Sequence, residues 1–431
     1  YTPRYQNIRG AGAPTHVSNG GQDAEGFIYY DTNGDGTPDT RGITNFSINF
    51  GPKFDGKPVM SWDGVVRPYE AQPSAYEGLY QQGNNSNINV AVSQSSDNSN
   101  IRFSLTRQDN RGISFGSQNV KNIANLNSSF KIGKKWTTDV MINYINQNTH
   151  NRPYSIDRMI NNFTGMIGRF DNADWYFNKY KTSQGYRFVQ GVNGQSLTPN
   201  ENIIRNGFKA DIADYVWRVK EHNYDEFNNR VIASMTNHYQ ITKDLKFRLR
   251  TSTDFTSQRD ETRQSTERPL AFGYSGYFGL SNSISSLMYG DALLTYNKKI
   301  AKNLDLNVMG GYTATKELYT MVNRGTNGGL STENLFDIAA TVNLASTGSS
   351  RWSIVKDAMI GTVNLDYKGF AFLEGTVRRD RTSTMNPNNN TFVYPSVNAS
   401  FVFTDAFQLP AFISFGKIRG SWGIVGNYPD I

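Results

Sequence analysis

From residue 88 onward the chain alternates apolar and polar positions with a period of two. Ile88, Val90 and Val92 alternate with Asn89, Ala91 and Ser93. After a polar stretch at 95–99 the alternation resumes, with Ile101, Phe103 and Leu105 set against Arg102, Ser104 and Thr106. Successive side chains of a strand point to opposite faces, so such a pair reads as an antiparallel hairpin. The unit recurs. Trp136, Thr138, Val140, Ile142 and Tyr144 follow a short turn at 132–135, and Leu245, Phe247 and Leu249 follow one at 242–244. Leu304, Leu306, Val308 and Tyr312 follow 298–303, and Ala371, Leu373, Gly375 and Val377 follow Lys368 and Gly369. Segments near 392–404 and 416–425 close the series, which predicts about twelve strands.

The predicted connections alternate in length. Turns carrying Lys are short, whereas the intervening stretches, 148–227, 256–283, 316–354 and 379–391, read as long loops. Short turns on one rim and long loops on the other are the build of an outer-membrane barrel. The alternating strands, with a polar face of Asn, Ser, Thr, Arg and Asp, suit a wet interior. The expected fold class is therefore all-β: part of the wall of an antiparallel transmembrane β-barrel. Residues 1–85 form a loop-rich segment that precedes or joins the early strands, and 86–431 form the strands, short periplasmic turns and long extracellular loops. A solenoid or propeller would need a fixed sequence repeat, and none is present.

Composition sharpens this picture only in places. The mean hydropathy of −0.57 is that of a water-soluble chain, yet aromatics reach 13%, with 24 Tyr and 26 Phe, and Gly numbers 39. That mixture suits strands with one wet face and aromatic girdles. No run of 18 apolar residues offers a transmembrane helix, but barrel strands need only about 9–11 alternating residues each. Cys is absent, which excludes disulfides and thiolate metal sites. The net charge of +7 comes without a Lys/Arg run, so nucleic acid is not an expected partner. The chain opens on Tyr1 without a secretory leader and stops at Ile431, so it reads as a stretch of a longer exported protein.

Catalytic constellations are thin. The four His residues, at 16, 150, 222 and 238, form no HExxH or other metal-spaced pair, and no GxSxG or phosphate-binding loop occurs. An enzyme is not expected. Two local motifs are sharper. In the 31–39 stretch, Asp31, Asn33, Asp35, the Thr37 carbonyl and Asp39 fall at alternating positions, with Gly36 at the sixth, which is the oxygen-rich spacing of a calcium loop. The twelfth position is Gly42 rather than Glu, and an Asp/Asn/Gly turn without metal has the same composition. No other cofactor is expected. Within the longest predicted loop, Asp174, Trp175, Tyr176, Phe177 and Tyr180 would suit stacking on a sugar, against the more common use of such residues as a cluster on which the loop folds. The earlier stretch 156–167 reads as a short helix with Met159, Ile160 and Phe163 turned to local core.

Four segments resemble the SusC/RagA family of TonB-dependent outer-membrane transporters. Asn49 to Val59 (NFGPKFDGKPV) is similar to the family's FGPKxDGxPV. Val66-Arg-Pro-Tyr69, Tyr80-Gln-Gln-Gly83 and Asn89-Val-Ala-Val-Ser93 resemble its next strand. Phe103 to Gly112 resembles the strand after that. Tyr394-Pro-Ser-Val397 with Lys417 to Asn427 (KIRGSWGIVGN) resembles its FPSxSxxW and LKLRxSYGxxGN segments. The order and rough spacing agree over 45–427; the family's DGSSxF is replaced by a looser match at 379–384. The resemblance implies a 22-stranded plugged barrel of which this chain supplies about half the wall, with the plug, the TonB box and the last strands outside it. It also implies active import of a glycan, or in some members an oligopeptide, under a SusD-like surface lipoprotein, with energy delivered through TonB. The residues alone leave a passive porin, an adhesin barrel and a soluble glycan-binding or hydrolytic β protein as competing readings.

Overall fold

A computed structural model describes residues 6–10, 23–43, 50–73, 75–153, 167–187, 207–410 and 412–427; side chains are described from 212 onward in the helix that begins at 207. The short helix expected at 156–167 lies outside these residues except for Ile167.

Four three-residue strands come first, β1 (Ile28–Tyr30), β2 (Thr40–Gly42), β3 (Pro58–Met60) and β4 (Val66–Pro68), in a small sheet of that order. The main sheet has twelve strands: β5 (Asn84–Ser95), β6 (Ser99–Arg111), β7 (Gln118–Ile132), β8 (Trp136–His150), β9 (His222–Gln240), β10 (Leu245–Gln264), β11 (Tyr277–Ala301), β12 (Leu304–Gly325), β13 (Ser346–Tyr367), β14 (Ala371–Thr382), β15 (Thr391–Val402) and β16 (Lys417–Gly423). Each strand pairs antiparallel with the strands before and after it in the chain, so the twelve strands anticipated from periodicity are present as one meander. The sheet is not closed: β5 and β16 are its edges. In lipid an open edge would leave backbone donors and acceptors unpaired, so both edges require neighbouring strands.

Register sorts the side chains into two faces. One row runs Val92, Phe103, Leu126, Ile142 and Ala233 from β5 to β9. Further along, Val308, Val363, Gly375, Val397 and Trp422 form an equivalent row. Val90, Val92, Met359 and Trp422 are each more than half exposed, which in water would be costly and in lipid is required. At the short-turn rim the band ends in aromatics. Trp136 and Tyr239 meet edge to face at 6.1 Å, and Tyr367, Phe370, Phe401 and Phe407 follow one another at 5.5, 5.7 and 5.9 Å. The opposite edge of the band is marked by amides. Just beyond Tyr144 the same face carries Arg107, Asn122, Asn146 and Asn229 in one row. There Arg107 donates to Asn122 at 3.1 Å, while Asn146 and the Tyr144 hydroxyl both donate to Asn229, at 2.9 and 3.0 Å.

The strands do not stop at that edge, and here the expected loop bounds need correction. β10 to β13 have 20, 25, 22 and 22 residues, about twice what a bilayer requires. Of the stretches read as long loops, 256–283 is mostly strand and 316–354 about half strand, and the true connections are 265–276 and 326–345. Beyond the lipid both faces meet water, so the ladder continues while the apolar alternation that reveals it ends. The short rim follows expectation at 133–135, 241–244, 302–303 and 368–370. Lys368 and Gly369 turn there with φ of 52° and 72°, and Asp366 accepts the Gly369 amide at 2.8 Å. One connection on this rim is longer, 403–416, and carries the helix α3 (Phe403–Ala406).

Candidate functional site

Because β5 turns into β6 at the short rim, the segment before β5 leaves from the opposite, long rim, as does the 151–221 connection between β8 and β9. The two fold together. Helix α1 (Ala173–Asn178) is capped by Asn172, whose side chain accepts the Asp174 amide at 3.0 Å, and α2 (Gly207–Glu221) runs directly into β9. Between them and the N-terminal segment lies a core of Trp62, Leu79, Ile167, Tyr176, Ile212 and Val216. A second cluster joins Phe27, Val59 and Tyr69 to Phe170.

This packing decides how the aromatic residues singled out from the sequence are used. Tyr176 is fully buried, stacked on Trp62 with its hydroxyl donating to Asp171 at 2.7 Å. Its ring offers no face to a sugar. Burial first, and then the neighbouring Asp171 carboxylate, hold its phenol well above the ordinary tyrosine range. Trp175 lies edge on to Phe170 and beneath the Arg67 guanidinium, 4.0 Å away. Phe177 packs on Phe115 from the β6–β7 turn, and Tyr180 packs near Trp217 while donating to Glu221 at 2.9 Å. Of the five candidates only Asp174 stands exposed. The cluster builds the rim. Sequence reasoning missed Arg67, which grips Asp63 through two hydrogen bonds of 2.6 and 2.7 Å while covering Trp175; no motif spacing announces a contact across more than a hundred residues.

The rim is continuous across connections. Arg187 pairs with both Asp214 and Glu267. Glu333 accepts from the Tyr186 hydroxyl at 2.7 Å and from the Leu270 amide at 3.1 Å. Thr266 and Asn334 exchange two hydrogen bonds of 2.8 and 3.0 Å.

The 31–39 loop is stapled by its own side chains. Asp31 accepts the Gly34 and Gly36 amides at 2.6 and 2.8 Å, Asn33 accepts that of Asp35, and Asp35 that of Thr37. Asp39 takes the hydroxyls of Thr32 and Thr40, each at 2.7 Å, which lowers its pKa. Gly36, at φ 87°, makes the sharp turn. Among the described residues no three His, Asp or Glu side chains converge as a ready metal cage.

Below the rim, the polar face carries the candidate passage. Asn297, Asn307, Asn364, Glu374, Asn398 and Ser421 occupy one row across six strands. They line a concavity of about 1070 Å³ that also takes in Asp305, Asp366, Lys417 and Arg419. Asn398 donates to Glu374 at 3.1 Å, and Asn307 to Asn297. Higher on this face Asp291, its side chain wholly buried, bridges Arg248 and Arg250 at 3.0 and 2.8 Å. Arg230 pairs with Asp254 and Lys356 with Glu317. Such a surface can hold a hydrated polar ligand or a polar polypeptide.

An apolar outer face, a polar concave face and an aromatic rim define the wall of a transmembrane β-barrel. No known family profile matches the chain. It is 22% identical over 378 residues to TonB-dependent receptor P26 of Formosa agariphila, covering 84% of this chain and 35% of the relative. It also resembles the RagAB peptide importer in its open-open state, with a TM-score of 0.65 at 13% identity over 86% of this chain and 39% of that one, and in its closed-closed state, with a TM-score of 0.63. The chain thus spans little more than a third of the length of these proteins. Its fold is that of a stretch of wall of such a barrel.

Proposed function

We propose that the protein containing this wall imports a nutrient oligomer, an oligopeptide or a glycan, across the outer membrane at the expense of energy delivered through TonB. The observation that carries this reading is the pairing of a lipid-facing wall with a polar, ion-paired concave face, in a fold shared with a peptide importer. A surface lipoprotein of the SusD type is the proposed partner at the rim built by Trp62, Tyr176 and Glu333. No step of this function requires chemistry on the substrate. Calcium at the 31–39 loop, which would brace the segment before β5, belongs to the same proposal.

The test is growth of a deletion strain on a panel of peptides and glycans, with and without functional TonB. Loss of growth on one substrate class in both the deletion and the TonB-deficient strain supports import. Growth that depends on the protein but not on TonB makes it a passive pore and overturns the proposal.

A further inference from the structure

Past the lipid band the concave face of β10 to β13 carries a track unlike the wall beneath it. Its top row sets Thr262, Gly279 and Gly325 side by side, and its bottom row Thr256, Ser285, Tyr319 and Trp352. Three steps of two residues separate the rows, about 20 Å at roughly 3.3 Å per residue. Each end holds aromatic rings. At the top Tyr277 lies over Gly279 and Gly325. Its hydroxyl would collide with a Cβ at either, so only glycine lets the ring lie down on the sheet. With Asp260 and Asn323 it lines a hollow of about 320 Å³. At the bottom Tyr319 and Trp352 stack with 5.6 Å between centroids and 24° between planes, and both stay partly exposed. The ladder of β13 with β14 ends at Lys356 and Thr382, so no strand flanks the indole on its far side. Along the track Ser283, Ser285 and Asn323 make no side-chain hydrogen bond among the described residues. Lower on the wall, by contrast, Asp291 holds Arg248 and Arg250.

We propose that this track binds an extended, uncharged oligosaccharide, so that the imported oligomer is a glycan rather than a peptide; the inference rests on the import reading and narrows it. A sugar ring has an apolar C–H face that packs on an aromatic ring, and a rim of hydroxyls that both donate and accept. The track offers both in alternation: rings at its two ends, and unsatisfied hydroxyl, amide and carboxylate groups of Ser283, Ser285, Asn323 and Asp260 along it. The span of about 20 Å between the end rows is the length of roughly four pyranose units. A peptide finds less here. Recognition of its main chain needs a sheet edge with free donors and acceptors, and β10, β11 and β12 are paired on both sides along the whole track. Arg230, in the bottom row, is held by Asp254, and Lys356, just below, by Glu317. Neither is free for a terminal carboxylate or an acidic sugar. The fold is shared with a peptide importer, so the side chains of this wall, and not its fold, carry the choice.

The test is direct binding to the full-length protein, purified in detergent and checked for heat-modifiable migration on a gel. It is titrated in a calorimeter with neutral oligosaccharides of glucose, xylose, mannose and galactose, two to six units long, and with uncharged-side-chain peptides of the same lengths. Saturable binding of one sugar series is expected, tightening up to about four units and then levelling, as the spacing of the rings requires. Trp352→Ala and Tyr277→Ala should each weaken it by about tenfold, the loss of one stacking face, while Trp352→Phe, which keeps a ring, retains most of it. Should a ring variant fail the migration check, Ser285→Val, which removes a hydroxyl and no ring, is read in its place and should also weaken binding. Binding of the peptides and not the sugars overturns the proposal, as does binding of neither, or equal affinity in the wild type and the folded variants. The import reading fails by a different result, growth that depends on the protein but not on TonB.

Discussion

The indole of Trp62 lies flat on the ring of Tyr176, with 4.5 Å between centroids and 9° between planes. It is the point at which the segment before β5 is fastened to the β8–β9 connection. Both rings are shut away from water, Trp62 at 2% and Tyr176 at 0% exposure. Trp62→Ala is expected to destabilise this unit by about 3–5 kcal/mol while sparing the strands. Limited proteolysis checks this: cleavage within 151–221 should accelerate while heat-modifiable migration persists. Unchanged cleavage would mean that the stacked pair does not hold the unit together.

The two faces of the wall can be told apart with a single charge. Val363→Arg, on the lipid side, is expected to cost about 2–4 kcal/mol in refolding into vesicles. Asn364→Arg, one residue along and on the concave side, should cost little. Reversal of the two results would invert the orientation.

Asp291 is wholly buried and holds two guanidinium groups. Removing Asp291 leaves two guanidiniums that are a third exposed and so partly hydrated, a loss of about 1–3 kcal/mol. Asp291→Ala should therefore unfold at a markedly lower temperature in detergent than the wild type, and the combined replacement of Asp291, Arg248 and Arg250 by apolar residues should recover part of the difference. No recovery would argue against the pairing.

His222, where α2 enters β9 above the lipid band, has its pKa pushed down to about 4, chiefly by burial and next by the Arg218 charge. A depressed histidine pKa means that the folded state prefers the neutral ring. Its contribution is present above the unfolded value of about 6.5 and is lost as pH falls from there towards 4. The junction should loosen over that window, seen as a change in the fluorescence of buried Trp217, and His222→Asn should flatten the transition. An identical transition in the variant would assign the effect elsewhere.

Calcium is proposed for the 31–39 loop and is testable with terbium, whose luminescence neighbouring Tyr29 and Tyr30 can sensitise. Saturable emission that competes with calcium and disappears in Asp31→Asn with Asp35→Asn is the expected result. Emission unaffected by the double replacement would leave the loop as an Asx-stapled turn, which its internal hydrogen bonds already make stable without metal.

The strands and their faces were legible because lipid imposes a rule that sequence must obey: every second residue of the crossing segment is apolar, as in Val90 and Val92 or Leu304, Leu306 and Val308. Where that rule lapses, so does legibility. The outer parts of β10, β12 and β13 were read as loops because Ser257, Thr320 and Arg351 occupy their outward positions, and water accepts those as readily as the lumen does. The rim was opaque for another reason. The packing of Trp175 and Tyr176 could not be read because their partners, Arg67 and Trp62, lie a hundred residues earlier, and no local pattern encodes such a contact.

The meander has a consequence for how the molecule is made. Neighbours in the sheet are neighbours in the chain, so the wall can enter the membrane hairpin by hairpin, each new strand templated by the last and with little loop entropy to overcome. The exception is the step from β8 to β9. There Trp62 and Tyr176 meet across more than a hundred residues, and the meeting ties the front of the sheet to its middle. The stacked pair is a tie closed over a long loop: it carries an entropic cost that no hairpin of the wall carries, offset by two rings shut away from water.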